Sequence, residues 1–120
     1  MAKVYEFLAD GFEEIEGLAP VDIFRRGGVE IKTVSITDSE WVQTSHGVTV
    51  KADLKFEDAD FRDADMLMMP GGMPGATNLN AHQGVRKALM DQYQEGKRIG
   101  AICAAPMVLG SLGLLKGKKA

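Results

Sequence analysis

Cysteine is almost missing from this 120-residue chain, and Cys103 is its only one. A single thiol excludes an intramolecular disulfide framework and a multi-cysteine zinc site. Long apolar runs are missing as well. The longest falls far short of the roughly 18 residues that mark a membrane-spanning helix, so no membrane partner is expected. The opening MAKVYEFLAD has no apolar h-region and no small-residue cleavage site, so it does not read as a secretory signal. A reducing cytoplasm is the expected compartment. Positive charge is in deficit: 14 Lys and Arg face 17 Asp and Glu, a net charge of −3. Lys116, Lys118 and Lys119 crowd the last five positions, which leaves the body with 11 cations against 17 acids, or −6. An acidic body argues against a nucleic-acid partner. Two isolated histidines, His46 and His82, give no metal-ligand spacing, so no metal is expected. Neither a G-x-x-x-x-G-K-[ST] loop nor a clean G-x-G-x-x-G is present, and no cofactor is called for.

What the chain does have is an apolar fraction of 45%, enough for one sizeable core and one domain over residues 1–120. Strand-like and helix-like stretches alternate. Lys3 to Leu8 reads as a strand. Glu13 to Arg26 reads as a helix through Ile15, Leu18, Ala19 and Ile23, with Gly27-Gly28 as its stop. Ile31 to Ile36 alternates as a strand. Trp41 to Thr44 and Gly47 to Lys51 form a small hairpin around Ser45-His46-Gly47. Phe56 to Ala64 is an acidic turn or short helix. Met66 to Met69 is a continuous apolar strand, of the kind buried on both faces in a parallel sheet. Gln83 to Glu95 is a helix capped by Gly96, and Arg98 to Ile102 is the next strand. This order predicts an α/β fold: a flavodoxin-like, doubly wound, mostly parallel sheet sandwiched by helices, with a small β-hairpin excursion. Four parallel strands are counted where such a sheet needs five. The terminal lysines fall where the next strand would begin, so the domain is expected to lack its C-terminal portion.

Cys103 sits in Gly100-Ala101-Ile102-Cys103-Ala104-Ala105-Pro106, between a buried strand and a helix start. Small neighbours allow the sharp turn of a nucleophile elbow, and a helix N-terminus favours the thiolate. The plain alternative is a buried thiol acting as a small hydrophobe. Pro70-Gly71-Gly72-Met73-Pro74-Gly75 follows another central strand. Strand ends in a parallel sheet share one crevice, and glycines there let backbone N–H groups approach an anion; the plain alternative is an ordinary glycine turn. Glu13 and Glu14 suit the first turn of a helix. Glu16 lies four residues before Pro20, which cannot donate to the Glu16 carbonyl. A kink or break is expected there, beside which the Glu16 carboxylate can point into the crevice; the plain alternative is a surface residue.

The stretches LADGFEEIEGLAPVDIFRRGG, MPGGMPGATNL and GAICAAP, in that order, resemble the ThiJ/PfpI family over essentially the whole chain. The likeness is closer to the branch of the parkinsonism-associated DJ protein than to the peptidase branch. It implies a homodimer, a reactive cysteine at Cys103, and a carboxylate at Glu16 that hydrogen-bonds the sulfur. It also implies an oxyanion pocket from the N–H groups of Gly72 and Ala104, with His46 at the dimer interface near the site. An ionised Glu16 would raise the thiol pKa, so the arrangement requires a protonated Glu16 that donates to thiolate. No histidine follows Cys103, where many members of the family carry one.

The function implied is a cysteine-dependent stress-response enzyme acting on reactive carbonyls, glyoxalase III-like or deglycase-like. Its partner is a small aldehyde or a glycated group. Two alternatives stand beside it: a redox sensor or redox-regulated chaperone that works through a cysteine sulfinate, and a PfpI-like cysteine peptidase. The peptidase ranks lowest, because no histidine is available after the elbow to act as base.

Overall fold

The computed structural model describes residues 2–101. The elbow residues Cys103 and Ala104, Ile102 at the end of the predicted last strand, and the terminal lysines all lie outside the described residues.

The first strand, β1 (Lys3–Leu8), matches its expected bounds and is buried along nearly its whole length. Asp10-Gly11 ends it, and α1 (Glu14–Arg26) follows. Glu13 caps α1, its carboxylate accepting from the N–H groups of Ile15 at 2.9 Å and Glu16 at 3.2 Å. The expected break at Pro20 does not occur, and α1 runs unbroken to Arg26. Gly17 and Val21, which flank the proline, are both buried. Their packing holds the turn together despite the missing N–H. The helix also presents a different face from the one its spacing suggests. Ile15 is 72% exposed and Ile23 65%, and only Gly17 and Val21 are buried.

Next come β2 (Glu30–Ser35) and the hairpin β3 (Trp41–Gln43) and β4 (Thr49–Lys51), antiparallel as expected. β5 (Leu54–Lys55) leads into a single 3-10 turn, Phe56–Asp58. β6 (Met66–Met69), α2 (Gly75–Ala81), α3 (Gln83–Gln94) and β7 (Arg98–Ala101) complete the described residues.

Among the described residues five strands form one sheet in the order β5-β2-β1-β6-β7, every pairing parallel. The strand that the sequence pattern does not show among them is β5, whose two residues are too few to carry an alternation signal. β1 leads to β2 on one side and β6 leads to β7 on the other. Right-handed crossovers therefore put α1 on one face and α2 and α3 on the opposite face. The core divides accordingly. Tyr5, Phe7, Leu67 and Met69 pack with Leu79, Val85 and Leu89 of α2 and α3, while Val4, Ile31 and Met68 pack with Val21 of α1. This is a doubly wound, flavodoxin-like α/β sheet. No described helix is long and apolar enough to cross a membrane.

Candidate functional site

Parallel strands deliver their C-terminal ends to a common edge. Here β1 ends at Leu8, β6 at Met69, and β7 reaches Ala101 opposite Met69. The turn after β1 and the turn after β6 meet at that edge and are strapped together. The Glu13 N–H donates to the Gly71 carbonyl at 2.9 Å, and the Gly75 N–H to the Gly11 carbonyl at 3.2 Å. The Asn78 side-chain amide donates to the Asp10 carbonyl at 2.7 Å.

Glycine is required where these turns touch. Gly72 has φ +97°, and a Cβ there would lie 2.5 Å from the Glu13 nitrogen. At Gly75 a Cβ would lie 2.7 Å from the Phe12 Cα. The glycines after β6 thus admit the backbone of residues 11–13.

Glu16 is half-buried in the first turn of α1, and its Oε1 accepts from the Gly71 N–H at 3.0 Å. It thereby faces the turn after β6. What aims it is not a break at Pro20. Glu13 fixes where α1 begins, and the Gly71 N–H supplies a donor.

His46 comes in on the hairpin, between β3 and β4. The hairpin sits on the turn after β1, with the Gly11 N–H donating to the Gln43 carbonyl at 2.7 Å and the Ser45 N–H to the Phe12 carbonyl at 2.8 Å. That seating brings the largely exposed His46 imidazole against the Glu14 carboxylate. Glu14 and Glu16 are two residues apart, and residues so spaced do not share a helix face. His46 and Glu16 are therefore held by opposite sides of α1. The Thr44 hydroxyl, followed by the His46 imidazole, holds the Glu14 carboxyl down at about 2. Glu14 is more than a complement to the helix dipole, since it ties α1 to the hairpin.

Among the described residues, Glu13, Glu14 and His46 bring their ligand atoms within 4.8 Å of one another. Glu13 is already taken by two N–H groups of α1, Glu14 is held by Thr44 and His46, and the positive end of the helix opposes a cation. Glu13 is the cap of α1, and Glu14 and His46 tie the helix to the hairpin.

One titratable group is not marked by any motif. Glu6, in the middle of β1, is 0% exposed, and neither of its oxygens has a partner among the described residues. Burial alone pushes its carboxyl up to about 8. The one signal in the sequence is a lone acid in the strand KVYEFL, in a chain whose sheet is covered on both faces.

The sequence profile of the DJ-1/PfpI family matches residues 2–120. The chain is 35% identical over 119 residues to Protein DJ-1 homolog B of Arabidopsis thaliana, covering 98% of this chain and 27% of that protein. It is 35% identical over 118 residues to Deglycase TK1284 of Thermococcus kodakarensis, covering 98% of this chain and 69% of that one. A solved structure of Toxoplasma gondii DJ-1, oxidized, superposes with a TM-score of 0.94 at 39% identity, covering 98% of this chain and 64% of its own. The chain thus spans about a quarter of the Arabidopsis relative and about two-thirds of the other two.

Proposed function

The chain belongs to the DJ-1/PfpI family, and from that premise we propose that it is a stress-response protein of deglycase-like type that acts on reactive carbonyls through Cys103. The observation that carries this reading is the bond from the Gly71 N–H to Glu16 Oε1. It fixes a carboxyl at the end of β6, beside the parallel strand β7 whose continuation bears Cys103. A relative 35% identical is named a deglycase, which supports the same class of substrate.

In this mechanism the Cys103 thiolate adds to an aldehyde carbon. A carbon–sulfur bond forms and the carbonyl π pair moves to oxygen. The N–H groups of Gly72 and Ala104 hold that oxyanion. With Oε1 held by Gly71, the other Glu16 oxygen carries the proton that first supports the thiolate and then neutralises the oxyanion, giving a hemithioacetal. The protein works in the cytoplasm as a homodimer. Its contact surface is the outer face of α1, where Ile15, Leu18 and Ile23 stand exposed. The test is turnover of methylglyoxal by Cys103→Ser and Glu16→Gln. Both substitutions are expected to abolish it, and activity that survives Cys103→Ser overturns the reading.

A second reading, in which oxidation of Cys103 is itself the signal, is favoured by the likeness to a protein solved in an oxidised form. A carboxyl that donates to the thiolate also stabilises a sulfinate. Mild peroxide is then expected to add two oxygens to Cys103 in the parent protein and not in Glu16→Leu, as read by mass spectrometry.

A further inference from the structure

β1 is the central strand of the described sheet, and its residues alternate between the two faces. Tyr5 and Phe7 point to α2 and α3. Val4 packs with Val21 of α1, and Leu8 approaches Gly17 of α1. Glu6 lies between Val4 and Leu8 on that same face, so its carboxyl is beneath the buried stripe of α1. Its register partners are Thr33 on β2 and Met68 on β6. Thr33 is already committed to Asp53, through both its N–H and its hydroxyl. Met68 offers no donor.

The charged groups on the surrounding elements are engaged elsewhere. On α1, Glu14 is held by Thr44 and His46, Glu16 accepts from Gly71, and Asp22 pairs with Arg26. Arg25 pairs with Asp53. On β2, Glu30 and Lys32 register with Lys3 and Tyr5 and so belong to the other face. β6 brings only Met66 and Met68 to this face, and Arg98 of β7 shares it in register with Met66 and Val4, whereas Gly100 is the β7 residue in register with Met68 and Glu6. Burial is the only influence resolved on Glu6, and among the described residues no charged neighbour offsets it. A neutral carboxyl at this position loses one or two hydrogen bonds, whereas a carboxylate there is an uncompensated buried charge.

We infer that Glu6 is a proton-dependent latch for α1: with its carboxyl protonated the helix stays seated on the sheet, and with it ionised the helix opens to let water reach the charge. Opening of α1 also releases Glu16 from Gly71, so the latch links the crevice to pH. This inference rests on the packing of the described residues and not on the activity proposed above.

The sign follows from the raised value. A carboxyl held near 8 in the closed state, against 4.5 once hydrated, favours closure at low pH. The advantage is lost as pH rises from 4.5 through 8. Between about pH 6 and about pH 9 the opening equilibrium of α1 should grow on the order of 50- to 100-fold and then level off. Amide hydrogen exchange on the whole chain, corrected for intrinsic rates, reads this directly. In the parent protein the protection of α1 amides around Val21 should fall by that factor while α3 amides around Leu89 hold. Glu6→Gln and Glu6→Leu should remove the pH dependence. A flat α1 profile in the parent protein overturns the inference. So does an equal fall in α1 and α3, and so does the same fall in a variant lacking the carboxyl. The comparison of α1 with α3 in the parent protein needs no variant to fold.

Discussion

Replacing Gly72 by alanine tests the contact that builds the crevice. Two costs are separable. The first is conformational: at φ +97° an L-residue costs about 1–2 kcal/mol that glycine does not. The second is steric. The new Cβ would lie 2.5 Å from the Glu13 nitrogen and 3.0 Å from the Gly11 carbonyl oxygen. Both are backbone atoms, so no side chain can swing aside. Overpacking of this kind costs a further ~1–3 kcal/mol. Gly28 supplies the control. Its φ is +81°, yet nothing lies within 4 Å of the position an added methyl would take, so Gly28→Ala carries the first cost alone. Urea denaturation separates the two. With a slope of about 2 kcal/mol/M, an extra ~2 kcal/mol lowers the midpoint of Gly72→Ala about 1 M below that of Gly28→Ala. Equal midpoints would refute the claim that the two turns are in backbone contact. Gly72→Ala should also move the Gly71 amide resonance, because that N–H is bound to Glu16 from the adjacent residue.

The remaining predictions concern pH and assembly. The His82 Nδ1 accepts from the Val85 N–H at 3.0 Å at the start of α3, and burial lowers the imidazole pKa below 6.5. A depressed base favours the fold in its neutral form. Stability from this cap is therefore complete above 6.5 and is lost as pH falls through the folded-state value. Protection of the Val85 amide should drop on acidification in the parent protein and stay level in His82→Asn, which caps without titrating. Ile23→Lys places a charge on the exposed face of α1, where the parent side chain is 65% exposed, and should leave folding intact. Sedimentation should then give a monomer, whereas an unchanged dimer removes α1 from the interface.

Much of the fold is legible in the residues. β6 comes from an apolar run that only a sheet covered on both faces can bury, β1 keeps its expected bounds, and the hairpin comes from its turn residues. Other features are not legible, for physical reasons. β5 has two residues, below any period. α2 reads GATNLNA, whose asparagines and leading glycine are poor helix formers, and burial of Gly75, Ala76 and Leu79 is what secures it. On α1 Ile15, Leu18 and Ile23 point outward, and the close approach of the helix to Leu8 and Phe12 admits only the bare Gly17. Glu16 is recognisable as a candidate for the crevice, but its aim depends on the Gly71 N–H 55 residues away, which no local pattern encodes. Glu6 is hidden for the opposite reason: an acid in a strand ordinarily marks a solvent face, and this strand has none.

The bond from Gly71 to Glu16 also has a history, since it closes across 55 residues of chain. During synthesis the unit from β1 through α1 to β2 is complete long before Gly71 leaves the ribosome. That unit can pair its own strands, but the donor that anchors Glu16 arrives only with β6. The crevice is thus a late product of folding. A ribosome stalled before Gly71 would carry an α1 whose carboxylate still faces water.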